Sequence, residues 1–175
     1  MMHRLMLVFV LATAPALAQT SPTPADPAVR SSSRSVGTWS DWEAFTSQEA
    51  GTAMCYLVSR PFSVVPSMEG RGELALTVTR RPGREDTAAL AAGSADISRA
   101  AAELRIGAQS FPLDTGPDGG LSVRNAAAAV EAMKRGLQAV ANFEGPQQGA
   151  RATATYSLRG FRAAYGASRR VCPER

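Results

Sequence analysis

The chain is 175 residues long but holds one histidine, His3, one lysine, Lys134, two cysteines, Cys55 and Cys172, and 6% aromatic residues. His3 falls in a segment that reads as a cleaved leader, so the mature protein is expected to carry no imidazole. That excludes serine or cysteine nucleophiles activated by histidine, and every metal site with an imidazole ligand. Long apolar runs are also scarce: after Leu5–Leu11 no segment approaches the ~20 apolar residues of a transmembrane helix. Charge is only mildly biased. The formal balance of +4 falls to +3 when Arg4 leaves with the leader, which is not the footprint of a nucleic-acid-binding protein. All cationic side chains but Lys134 are arginine, a bias that a GC-rich coding sequence explains without any functional demand.

What is present begins with export. Met1 to Arg4 form a short positive region, Leu5–Leu11 an apolar one, and Ala16-Leu17-Ala18 a small-x-small site, so residues 1–18 are expected to be a signal peptide cleaved after Ala18. No cysteine sits at that site to accept a lipid. Residues 19–36 combine proline and serine with almost no large apolar side chain, the composition of a flexible linker. Residues 37–175 then make one domain, large enough to bury about two-thirds of its unfolded surface. The expected location is periplasmic or secreted. An oxidising compartment turns the even pair Cys55 and Cys172 into an expected disulfide, rather than two free thiols. Closing so long a loop is worth up to about 5 kcal/mol in the chain-entropy model.

Short apolar or alternating runs separated by turn residues point to strands at 38–46, 53–59, 73–80, 87–92, 103–107, 109–114, 137–144 and 151–156. The clearest puts Leu74, Leu76 and Val78 on one face and Thr77 and Thr79 on the other. Asn125 is placed to cap a helix over 126–135, with Gly136 just past its end. A second helix, opened by Ser157 or Gly160, carries Phe161, Ala164, Tyr165 and Ser168 towards Cys172. The expected fold is mainly β: an antiparallel β-sandwich or open barrel with two short helices, the second at the C-terminus.

Candidate chemistry is thin. Leu113-Asp-Thr-Gly116 carries the Asp-Thr-Gly triplet of aspartic proteases, which would make Asp114 a proton-sharing carboxylate. The run from Asp114 to Gly120 is better explained as a turn between two strands. The same run, with Asp114 and Asp118, lacks the spacing and terminal glutamate of a calcium loop. Arg80, Arg81 and Arg84 form the densest basic cluster, and Arg60 and Arg71 are candidates to lie near it in the fold. The cluster is the candidate contact for an anionic envelope or host component, because guanidinium forks suit phosphate. Arg169 and Arg170 suit the C-terminal end of the last helix. Trp39, Trp42 and Phe45 read as core-forming aromatics on one strand, the two tryptophans on opposite faces. No catalytic residue, metal site or cofactor is expected.

Trp39, Cys55-Tyr56, Ser59-Arg-Pro61, Arg71-Gly72, Leu76-Thr-Val-Thr-Arg-Arg-Pro82, Ala132-Met-Lys-Arg-Gly136 and Thr155-Tyr-Ser-Leu-Arg-Gly-Phe161 before Cys172 together resemble the invasion-associated locus B family over residues 37–173. The resemblance implies an exported alphaproteobacterial protein with a β-dominated domain and a named association with host-cell invasion, and it brings no catalytic site. The chain departs from the family pattern at Ser94 and at Leu121-Ser-Val, and it is a two-cysteine variant. The function expected from the sequence is a non-enzymatic exported binding or interaction protein. A hydrolase using Asp114 and a purely structural envelope factor are the alternatives.

Overall fold

The computed structural model describes residues 33–49, 51–67, 74–92, 98–115, 120–144 and 151–173, all within the unit Ser31–Arg175. The expected signal peptide and residues 19–32 of the expected linker lie outside the described residues.

The first strand, β1 (Arg34–Trp39), starts inside the last three residues of the segment read as linker, because Val36 packs against the core. β2 (Trp42–Glu49) follows at once, so the single strand expected over 38–46 is a hairpin in which Trp39 faces Trp42. Its two-residue turn puts Ser40 at φ 51°, a left-handed backbone that the sequence signals only weakly in the absence of glycine. Trp42 is fully buried. Trp39 is half-buried, and its indole lies so close over Gly37 that a Cβ there would come within 2.8 Å of the ring. Phe45 stacks on Tyr56 of the next strand with ring centroids 5.2 Å apart.

The chain continues through β3 (Thr52–Ser59), β4 (Ser63–Val65), β5 (Leu74–Arg80), β6 (Thr87–Ala92), β7 (Ser98–Ile106), β8 (Gln109–Thr115), β9 (Leu121–Val123), α1 (Ala126–Met133), β10 (Gln138–Glu144), β11 (Arg151–Ser157) and α2 (Phe161–Val171). β4 and β9, three residues each, are too short to display an alternation and were not expected. Among the described residues the strands form one antiparallel sheet of 11, ordered β1-β2-β3-β5-β6-β9-β8-β7-β10-β11-β4. Leu57, Leu76 and Leu90 from one half of this sheet share a single core cluster with Leu104, Ala141 and Tyr156 from the other. The sheet therefore curls around its own apolar face, as the expected sandwich or open barrel requires. Trp42 Nε1 donates to the carbonyl of Ser157 at 2.9 Å, which holds β2 against the end of β11.

The two helices close this arrangement. Asn125 caps α1, its side chain accepting from the Ala128 N–H at 3.2 Å. α2 packs on β1, β2 and β3 and places Phe161 4.7 Å from Trp42, centroid to centroid. Gly160 precedes it at φ 87°, and a Cβ there would lie 1.8 Å from the Trp39 carbonyl oxygen, so only glycine fits this approach. Cys55 of β3 and Cys172, just past α2, form the expected disulfide, with Cα atoms 6.0 Å apart.

Candidate functional site

The parity of β5 decides the fate of the basic cluster. Leu74, Leu76 and Val78 point into the core, and Arg80 follows the same alternation, leaving it 2% exposed. This corrects the expectation that Arg80 meets an anionic partner at the surface: its place in the strand turns the guanidinium inward. Arg81 is half-buried and Arg84 exposed. Arg60 lies 3.3 Å from Glu43, and Arg71 is outside the described residues. Arg169 and Arg170 occupy the last turn of α2, as expected.

Burying a guanidinium is tolerable only with counter-charge and hydrogen-bond acceptors beside it. Asp86, at the far end of the β5–β6 turn, brings Oδ1 to 3.5 Å from Arg80 Nε. Its Oδ2 accepts the Tyr165 hydroxyl proton at 2.5 Å. The Tyr165 ring in turn carries two cations: the Arg80 guanidinium 4.7 Å and the Lys134 ammonium 4.1 Å from its centroid, an arrangement favoured by the ring quadrupole. Lys134 Nζ also reaches Glu131 at 2.5 Å, and this hydrogen bond, followed by the charge, holds the Glu131 carboxyl below its ordinary range. A strand, a turn and both helices thus converge on one aromatic ring.

Above that ring opens a cleft of about 510 Å³, walled by residues 83–86 on one side and by Ala127, Val130 and Glu131 of α1 on the other, with Tyr165 contributing to its lining. It offers Arg84, Glu85 and Asp86, an apolar wall and an aromatic group within one concave surface, a composition suited to holding a ligand by charge and shape. Glu131, Lys134, Asp86 and Tyr165 were not singled out as site residues from the sequence. Asp86 and Tyr165 are 79 positions apart, and no local pattern joins them.

Asp114 is exposed on β8 and bound by Arg124 through two contacts, at 2.6 and 3.0 Å. That pairing lowers its carboxyl pKa. Asp118 lies outside the described residues, among which no cluster of three or more metal-ligating side chains occurs. Glu103 accepts from Ser110 at 2.5 Å and from Asn142 at 3.2 Å, and these bonds lower its carboxyl pKa too.

No family model matches the chain, and no curated protein matches it either. Among solved structures it is similar to invasion associated protein B from Bartonella henselae. The likeness covers 76% of this chain and 92% of that one, at 14% sequence identity and a TM-score of 0.51. At that identity the likeness is one of fold: the curled antiparallel sheet is an architecture shared with invasion associated protein B.

Proposed function

We propose that the protein is an exported, non-enzymatic binding protein, working in the periplasm or outside the cell, and that the cleft between residues 83–86 and α1 receives its partner. The observation that carries this reading is the fixing of the cleft. Asp86, Tyr165, Arg80, Lys134 and Glu131 contact one another, so the part of the cleft wall made by Asp86, Glu131 and Tyr165 is held in place. A general acid working near neutral pH is helped by a carboxyl shifted upward. The shifts resolved for Glu103, Asp114 and Glu131 all run downward. The hydrolase reading at Asp114 has an exposed, doubly bonded ion pair against it, and a purely structural role gives no use to an open cleft.

The buried disulfide suits an oxidising compartment, in keeping with the leader read at residues 1–18. The neighbour's name, invasion associated protein B, suggests by analogy a host component as the partner; an envelope component is the other candidate for an exported protein, and the exposed Arg84 gives the cleft a contact for anionic groups on either. No cofactor or metal enters this reading, and nucleic acid is not the partner.

The test is to titrate isotope-labelled, oxidised protein with fractionated envelope extract and follow the amide resonances. Shifts concentrated at Gly83, Asp86, Ala127 and Val130, lost when the exposed Ala127→Arg substitution fills the cleft, support the proposal. Shifts centred elsewhere, or indifferent to Ala127→Arg, refute it.

A further inference from the structure

Beyond the C-terminal end of α1 the surface changes character. Leu137 is 82% and Phe62 61% exposed. The two flank the last residues of β11, since the Leu158 N–H donates to the Leu137 carbonyl and the Phe62 N–H to the Thr155 carbonyl, each at 3.0 Å. The core beneath is already full. A Cβ on Gly136 would come within 2.8 Å of Ile106 and 2.9 Å of Leu158, so the link into β10 runs tight over the core and Leu137 projects outward. Beside it lies a groove of about 620 Å³ lined by Arg105, Gly107, Gly136, Leu137, Gln138 and Val140.

Cations border these apolar tips. Arg105 belongs to the groove itself, Arg135 is 68% exposed, and Arg159 is exposed immediately after Leu158. Among the described residues the acids near these cations include Glu103, which feels the charge of Arg105 while accepting from Ser110 and Asn142, Glu131, which lies 3.7 Å from Arg135, and Asp41, whose N–H donates to the Arg159 carbonyl. Projecting leucine and phenylalanine side chains among guanidiniums make a surface complementary to a layer that is apolar inside and negative outside.

We infer that this end of the sheet docks on an anionic lipid bilayer, with Leu137 and Phe62 entering the headgroup boundary and Arg105, Arg135 and Arg159 meeting lipid phosphates. This surface adjoins the cleft where Glu131 meets Arg135, but its groove shares no lining residue with the cleft and does not include the arginines of the β5–β6 turn. The test is sedimentation of the processed, oxidised protein with vesicles of phosphatidylglycerol and phosphatidylcholine, against vesicles of phosphatidylcholine alone. Binding should be confined to the anionic vesicles and weaken as salt is raised. Leu137→Ser with Phe62→Ser should lower affinity about tenfold or more, and Arg105→Gln about fivefold, the worth of one cation near an anionic surface. Arg124→Gln, which removes an equally charged group from the β8–β9 ion pair, should change little. Circular dichroism and an intact disulfide establish that each variant is folded. Failure to sediment with anionic vesicles, insensitivity to Leu137→Ser with Phe62→Ser, or equal losses for Arg124→Gln and Arg105→Gln would overturn the inference.

Discussion

Arg80 occupies a position whose alternate neighbours along the strand are Leu74, Leu76 and Val78, and the desolvation of its guanidinium is offset by Asp86 and by the Tyr165 ring. Removing one partner of such a buried pair strands the other charge in a poorly solvating environment. Arg80→Ala should therefore cost about 3–5 kcal/mol of stability in urea unfolding, whereas Arg84→Ala, on the exposed turn, should stay within about 0.5 kcal/mol. Similar costs for the two would contradict the burial account. Part of this was legible: the alternation that identified β5 also assigns Arg80 to its inner face, but adjacency in the run Arg80-Arg-Pro-Gly-Arg84 suggested a common surface role. The identity of the partners was not legible, because Asp86 and Tyr165 meet Arg80 only after two other elements have packed. Asp114 shows the opposite case. Its reading as the end of a strand needed only local residues, while its partner Arg124 emerged from the β8–β9 register.

At the scale of elements, periodicity carried most of the information. β5, β10 and β11 alternate strictly between buried and half-exposed positions, and each was evident as an alternating run. The hairpin at residues 34–49 was not, because Trp39 and Trp42 bracket a turn with no glycine and read equally well as one strand. α2 depends on tertiary support more than on propensity: its buried face is Phe161, Ala164, Tyr165, Ala167 and Ser168, and Cys172 ties its end to β3. Cys55→Ser with Cys172→Ser should lower stability by about 2–5 kcal/mol, read as a fall in the urea midpoint of the oxidised protein. Hydrogen exchange should show the loss concentrated in α2 and in β1–β3, on which it packs. A midpoint unchanged from the parent protein would mean that packing alone holds α2.

At the scale of the whole molecule, the described strands form one sheet that curls around its core cluster, and the helices close it where Tyr165 of α2 gathers charges from three other segments, β5, the β5–β6 turn and the end of α1. A mainly β fold with a C-terminal helix follows from strand spacing and the final amphipathic run, and the likeness to invasion associated protein B is a likeness of that architecture. The cleft is a consequence of assembly: residues 83–86, Ala127 and Tyr165 are far apart in sequence and become one surface only when α1 and α2 dock. The central claim is that this surface receives the protein's partner. A photo-reactive amino acid placed at Ala127, in the wall of the cleft, and separately at Gln48, an exposed position on β2, tests it most directly in cells exporting the protein. A discrete adduct from Ala127 and none from Gln48 is the predicted result. The same adducts from both positions, or none from Ala127, would contradict the assignment of the cleft as the binding site.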